Sequence, residues 1–591
     1  MASNEQQPLL QTSRTRSRSN GSSISTSSGI RTHRINSGEG GVSAWWASRS
    51  RDALSLFTVL LLLGAGLGIW VYGTLPTSDH DEHPHEYALS TDRIRGHLGK
   101  FLEIAGAHNN SRSVTNGHAA SADYVIAQLQ AHGNCDVYKQ RFMSPVWSVN
   151  SVPRLRVQSP VHIDYIHETD FEIMRYGGTG ANITGARVTV VDNACAAEDA
   201  GNVKGRVAVV RTRGACTLFE TAFMLEQLGA RAVVFVRAQR FKRPTYARVR
   251  IVDWKEGDPL MTIPVLSVTG SAGQLLASVA GDARVDIETD TQIDVVETFN
   301  VLCVGRTGNA SSTVVVGAHL DSVAAGPGIN DNGSGSASTL EIALTLARIG
   351  FAPRNRIVFA WWGAEEDGLL GSRHFARVLA HGWKNRWSGD ELIDVAWGEI
   401  ALDLNFDMLA SPNYIALVHN GTDAPNVART GSQRIQRVFE NYFARHDYPY
   451  QVTDMLGGSD FLPFIDNGVP AGGVLTGAGE IKSIDERREH GGLAHAALDT
   501  CYHRDCDTLL NINIDALQKM SRAAMYAIST LASTANLRGY LAAFLSCEFG
   551  PFEVYPDAFV TTSSGHAKNS SPNTNIYKET AATYQLKTKA T

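Results

Sequence analysis

The apolar rhythm changes along the chain. Over residues 89–130 apolar positions recur at three and four: Ile94, Leu98, Phe101, Leu102 and Ala105, then Tyr124, Val125 and Leu129. That spacing lines one face of a helix and predicts two helices. Between about 161 and 295 short β-type runs take over, and VAVVRTRGACTLFETAFMLEQLGARAVVFV predicts strand, loop, helix and strand. After Asn300 wholly apolar runs alternate with amphipathic ones. Residues 313–318, 357–361, 400–406 and 472–475 are predicted strands, mostly buried on both faces. Residues 336–349, 372–380, 433–444 and 514–534 are predicted helices. Such alternation predicts an α/β three-layer sandwich around a mostly parallel sheet.

Residues 53–78 carry no charge. About 23 residues at ~1.5 Å each reach roughly 35 Å, enough to cross a bilayer, which predicts a transmembrane signal anchor over 53–75. Trp45, Trp46, Trp70 and Tyr72 suit the two interfaces. Arg49 and Arg51 precede the span and Asp79, Asp81 and Glu82 follow it, so the positive-inside rule leaves the N-terminus cytosolic and the rest luminal or extracellular. A cleaved signal peptide fits poorly, because a 52-residue leader is too long. The result is a single-pass type II membrane protein with a disordered cytosolic tail over 1–52 and a polar C-terminal tail over 546–591. Residues 76–160 would be linker and the first part of the main domain, which resumes over 296–545. Near the start, Glu5 with Leu9 and Leu10 resembles the acidic dileucine signal that sorting adaptors read, favouring a vacuolar or lysosomal membrane over the plasma membrane.

The net charge of −6, without a basic stripe, argues against nucleic acid as a partner. All seven cysteines follow the predicted span, as do six N-x-S/T sequons at Asn109, Asn182, Asn309, Asn332, Asn420 and Asn569. Both fit an oxidising lumen. An odd count leaves at least one thiol over, and the partners of Cys135, Cys303 and Cys547 stay open.

Ligands in open α/β sheets bind beyond the carboxyl ends of the strands. At those ends stand His319 and Asp321 in GAHLDS, Asp331 in GPGINDNGSGS, Glu365 and Glu366 in WWGAEEDG, Asp407 in LNFDM, and His503 in CYHRDCD. Imidazoles with carboxylates suit Zn²⁺ or a similar divalent ion better than Ca²⁺. Two histidines and three carboxylates can serve two ions if one carboxylate bridges, the arrangement that activates a water between metals. Adjacent Glu365 and Glu366 diverge at a strand end, so one can ligate while the other acts as general base. HETDF at His167 starts like a zinc-binding HExxH but lacks the second histidine, and there is no nucleophile elbow or P-loop.

The motifs GAHLDSVAAGPGINDNGSG, WWGAEEDGLLGS, LNFDMLASPN, GGSDFLPF, GVPAGGVLTGAGEIKS and CYHRDCDTLLNIN, in that order, resemble the di-zinc aminopeptidase family of yeast aminopeptidase Y and Streptomyces griseus aminopeptidase. Residues 88–160 and 296–540 carry the resemblance, and residues 161–295 resemble an inserted protease-associated domain, a lid or wall without chemistry of its own. The resemblance implies two zinc ions per chain and peptide substrates. His319 and Asp407 would hold one ion, Glu366 and His503 the other, and Asp331 would bridge. Glu365 would be the general base, Tyr502 the phenol that donates to the oxyanion, and Asp321 the group orienting His319. Met408, Gly457 and Leu475, with Tyr502, would form an apolar pocket for Leu, Met or Phe. Gly458 departs from the Arg that bacterial relatives tend to carry. Cys195 would pair with Cys216, closing a loop worth ~3 kcal/mol, and Cys501 with Cys506, fixing Tyr502 and His503. A glutamate-carboxypeptidase-like exopeptidase and a catalytically silent receptor on the same scaffold are the alternatives. The first normally continues into a long helical domain, for which the roughly 50 residues after the final helix are too few; the second would have lost ligands, and none is lost.

Overall fold

The computed structural model describes residues 85–212, 214–238, 248–249, 254–381, 393–455 and 458–543. The expected anchor and both tails, the dileucine residues, Gly457 and Cys547 lie outside them. Among the described residues no helix is long and apolar enough to cross a membrane.

After a short helical turn at His85–Ala88 come α1 (Thr91–Ala107), α2 (His118–His132) and β1 (Cys135–Ser159). An inserted unit follows: β2 (Phe171–Ile173), β3 (Ala181–Val191), β4 (Val207–Val210), α3 (Leu218–Gln227), β5 (Ala232–Val236), β6 (Val265–Val268) and α4 (Gly270–Ser278). The chain returns through β7 (Arg284–Gly305) into β8 (Asn309–His319), α5 (Gly335–Arg348), β9 (Asn355–Trp362), α6 (Leu370–His381) and β10 (Ile400–Phe406). Strands and helices β11 (Leu417–His419), α7 (Asn426–Arg445), β12 (Gln451–Thr453), β13 (Ala471–Leu475) and α8 (Ile514–Ser533) follow, with a short helix at Leu537–Ala542 after them.

The main sheet runs β12-β11-β13-β10-β8-β9-β7. Its centre, β13-β10-β8-β9, is parallel, and β7 and β11 flank it antiparallel. Alternate residues of the apolar strands feed two cores. Val314, Val316, Ile357, Phe359 and Trp361 face α1, α2, α5 and α8, whereas Val315, Val358, Ala360 and Trp362 pack with Phe375 of α6, Phe461 and Phe464. Burial on both faces explains why these strands read as unbroken apolar runs. Helix α7 begins at Asn426 rather than 433, directly after Pro425, because its first turns are polar and hide the period.

Residues 160 and 296 do not separate two bodies cleanly. Strands β1 and β7 form one antiparallel ribbon from Cys135↔Gly305 to Ser159↔Arg284, which carries hydrogen bonding from the main sheet into β3-β4-β5-β6-β2. Disulfide Cys135–Cys303 ties the ribbon's base. Cys195–Cys216 and Cys501–Cys506 are the other two disulfides among the described residues.

Candidate metal centre

Four parallel strand ends and the loop before α8 converge on one point. His319 is the last residue of β8, Glu365 and Glu366 lie just past β9, Asp407 follows β10, and Leu475 ends β13 one residue beyond the Phe406–Val474 pair. Asp331 enters from the loop joining β8 to α5, and His503 from the Cys501–Cys506 loop.

Asp331 turns one oxygen to each histidine. Its Oδ1 is 3.3 Å from His319 Nε2 and its Oδ2 is 3.0 Å from His503 Nε2. Asp407 Oδ1 stands 3.3 Å from His319 Nε2, and Glu366 Oε2 stands 3.2 Å from His503 Nε2. Two groups result, His319–Asp331–Asp407 and Asp331–Glu366–His503, each with ligand atoms within 4.8 Å of one another. Asp407 Oδ1 and both Glu366 carboxylate oxygens are buried with no hydrogen-bond partner. Buried charges are held by a partner or a metal, so this donor set fits divalent ions.

The chemistry sits on strained backbone. Ala364 before Glu365, Met408 after Asp407, and His503 itself have φ of 57°, 57° and 58°. Such conformations persist only where the surroundings over-determine them, and the surroundings do. Asp321 supports the site in two ways. Its backbone carbonyl faces His319 Nδ1 at 3.1 Å, and its carboxylate Oδ1 lies 3.8 Å from the same nitrogen. The carboxylate also accepts the N–H groups of Glu365 and Glu366, both at 3.2 Å. Ser459 donates to Asp407 Oδ2 at 2.8 Å.

Several bracing residues carried no sequence signal. Asp507 accepts the backbone N–H of Asn330 at 2.9 Å and of Asp331 at 3.0 Å. Asn511 donates to both Asp507 and Asp499, and Asp499 also accepts from Asn330 at 2.6 Å and from Cys501 N–H at 2.8 Å. The loop carrying Asp331 is thus locked to the loop carrying His503. Arg112, fully buried between α1 and α2, donates to the carbonyls of Leu320, Pro327 and Gly328 and so staples the stretch between His319 and Asp331. Burial pulls its guanidinium down to about 10, and the carboxylates of Asp321, Asp507, Asp331 and Glu366 keep it charged at neutral pH. Gly335 is required where α5 meets β10, since a Cβ there would lie 2.2 Å from Phe406 O.

Burial lifts the Glu365 carboxyl well above its ordinary value, against the pull of His319, with Glu366, Asp460 and Asp407 adding to the rise. Glu365 Oε2 lies 4.0 Å from His319 Nε2 and belongs to neither metal group. Tyr502 stacks on His503 with ring centroids 3.8 Å apart. Burial and the surrounding carboxylates push its phenol far above its ordinary value, which keeps it a donor. Met408 is buried beside Asp407, and Gly458, at φ 101°, has open space where a Cβ would point.

Residues 300–528 match peptidase family M28, and residues 183–276 match the PA domain. An aminopeptidase of Pseudomonas aeruginosa is 35% identical over 462 residues, covering 75% of this chain and 81% of that protein. The probable leucine aminopeptidase 2 of Aspergillus fumigatus is 32% identical over 422 residues, covering 71% and 78%. Among solved structures, the aminopeptidase from Aneurinibacillus sp. strain AM-1 superposes with a TM-score of 0.56 at 19% identity, over 75% of this chain and 95% of that one. A zinc aminopeptidase from Bacillus subtilis gives 0.50 at 20% identity, over 75% and 95%. These two establish the likeness of fold. The protein is a peptidase whose curated relatives are aminopeptidases. It belongs to peptidase family M28 and carries an inserted PA domain.

Proposed function

We propose that this M28 peptidase is a membrane-anchored di-zinc aminopeptidase that removes Leu or another apolar residue from peptide N-termini in the lumen of a vacuolar or lysosomal compartment. The observation that carries the di-zinc reading is Asp331, which offers one carboxylate oxygen to each of two otherwise separate donor groups. His319 and Asp407 would complete one zinc site, Glu366 and His503 the other. When bound, such ions polarise the scissile carbonyl and make water a nucleophile near neutral pH.

The remaining chemistry belongs to side chains. Glu365, outside both donor groups and 4.0 Å from His319 Nε2, takes a proton from the attacking water and returns it to the leaving amine. Tyr502 donates its phenolic hydrogen to the carbonyl oxygen as negative charge grows there. Met408 and Leu475 offer apolar surface beside Asp407, which supports a preference for Leu, Met or Phe. The carboxylates of Glu365, Asp407 and Asp460 make the basin acidic, suiting a substrate with a free ammonium group.

The direct test uses the full chain in detergent with a leucine aminoacyl-fluorophore and its N-acetylated twin, before chelation, after it, and after zinc is restored. Cleavage of the free-amine substrate alone, lost and regained with metal, is expected. Cleavage of the acetylated twin, or activity only on a C-terminal glutamate peptide, contradicts the reading.

The uncharged run at 53–78, with arginines before and acids after, supports the anchor, and the dileucine-like residues support sorting adaptors as partners. Glycopeptide mapping of the native protein tests the luminal placement. Asn182 and Asn309 are exposed and are expected to carry glycans. Asn332 is buried, donates to Phe406 O at 2.9 Å and accepts from Gly335 and Met408 N–H, so it is expected to be bare. Bare Asn182 and Asn309 count against the lumen; a glycan on Asn332 counts against this structure of the loop.

A further inference from the structure

The loop carrying Glu365 and Glu366 is held from two sides, and one side belongs to the inserted unit. Residues 363–370 join β9 to α6 through a tight turn: Gly368 and Leu369 N–H both reach Glu365 O, at 2.8 and 2.9 Å, and Leu370 N–H reaches Ala364 O at 3.0 Å. Ala364 and Leu369 both have positive φ, 57° and 61°, which a non-glycine residue keeps only under outside constraint. Asp321 supplies that constraint from the β8 side.

The opposite side is closed by residues between β1 and β7. Tyr176 donates its hydroxyl to Asp367 Oδ1 at 2.6 Å, and Arg175 Nη2 lies 3.7 Å from the same oxygen. Arg248 Nη2 donates to the backbone carbonyl of Glu366 at 2.7 Å. The Tyr176 ring is buried at 2% exposure and packs with Ala364 and Leu370, the residues bracketing the acidic stretch, and with Phe142 of β1. Tyr176 has φ 59° of its own. Arg175 and Arg248 are tied together by a β-bridge, with Val249 N–H on Arg175 O at 3.0 Å. None of the three belongs to either metal group. Each instead ends on one of the two residues after Glu365, Arg248 on the Glu366 carbonyl and Tyr176 and Arg175 on the Asp367 carboxylate.

We propose that the inserted unit is a clamp on this loop: Tyr176, through Asp367, is a positioning residue that sets where Glu365 and Glu366 stand, with Arg248 securing the carbonyl between them and Asp367. The insert then contributes to turnover itself, beyond serving as a wall that screens access. The clamp rests on the roles proposed above for Glu365 and Glu366.

The experiment compares the full-length parent with Y176F, D367N and the double variant. Y176F deletes one hydroxyl and leaves the ring that fills the core. Small displacements of positioned groups cost rate rather than binding, so Y176F is expected to lower kcat about tenfold, with KM within about twofold and zinc content unchanged. D367N should lower kcat comparably, and the double variant should be no slower than the worse single one, because both cut the same link. Thermal unfolding and zinc analysis accompany each variant. The clamp is overturned by a Y176F kcat within twofold of the parent, by losses that multiply in the double variant, or by a kcat loss that tracks missing zinc or unfolded protein. E365Q separates the two readings. If E365Q stays active, the mechanism is wrong and the clamp falls with it; if E365Q is dead and Y176F matches the parent, the clamp alone is wrong.

Discussion

Glu365→Gln is expected to lower kcat by about 10²–10⁴-fold, the range that a positioned general base contributes, while leaving the zinc content of the protein unchanged. That corresponds to about 3–5 kcal/mol of lost transition-state stabilisation. Gln has the same shape but cannot hold the transferred proton. The zinc content is unaffected because Glu365 is outside both donor groups, whereas its neighbour Glu366 lies 3.2 Å from His503. Burial and the neighbouring Glu366, Asp460 and Asp407 raise the carboxyl's proton affinity in the metal-free centre. Asp at the same position keeps the charge but withdraws it by about 1.5 Å, one C–C bond, so E365D should fall between parent and Gln. The check is kcat and KM for each variant beside elemental analysis of bound zinc. An E365Q protein within tenfold of the parent would move the base elsewhere, and Asp460 would be examined next.

The candidate metal edge was legible because a parallel sheet buried on both faces leaves few places for polar groups. In GAHLDS, WWGAEEDG and LNFDM the switch from apolar run to His, Glu or Asp marks the carboxyl end of a strand, and the structure brings those ends together. The supports were not legible, because they are single residues acting over long separations. Asp507 reaches Asp331 across 176 residues, Arg112 reaches Pro327 across 215, and Tyr176 reaches Asp367 across 191. Nothing periodic distinguishes an arginine in NNSRSV or a tyrosine in MRYGG from a solvated one. Asp321 shows a second kind of gap: its position was readable, but only coordinates reveal that its carboxylate serves the Glu365–Glu366 backbone. The Cys135–Cys303 pair needed the β1–β7 register, which places Val137 opposite Cys303. The inserted unit's strand–loop–helix–strand core was readable from its apolar runs, yet its continuity with the main sheet was not, since a long twisted ribbon has no turn signal at either expected boundary.

Removing the shared carboxylate should weaken both metal sites. Asp331→Asn keeps the side chain's size but loses the charge and one of the oxygens that face His319 and His503. Zinc analysis is expected to give two ions per parent chain and no more than one in D331N, with activity down by about 10²–10⁴-fold, since a bound ion is worth several kcal/mol of charge stabilisation. Glu366→Gln touches one donor group only and should leave the other ion in place. Protons sharpen the same test. Burial alone would lower both imidazoles, but the carboxylates around them outweigh it: Asp407, Glu365 and Asp331 hold His319 well above its ordinary value, and Glu366 and Asp331 do so for His503. The metal-free centre therefore holds protons on its histidines more tightly than free imidazoles do, and zinc must displace those protons to bind. The sign follows directly: apparent zinc affinity falls as the solution is acidified, and binding releases protons. Calorimetry in two buffers of different ionisation heat measures that release, and zinc titrations between about pH 7.5 and 5 measure the loss of affinity. An affinity flat across that range would mean that the histidines are neutral before metal arrives. In an acidic vacuole the expected weakening matters, because the enzyme would keep its activity there only if its zinc affinity near neutrality is high enough to survive the competition.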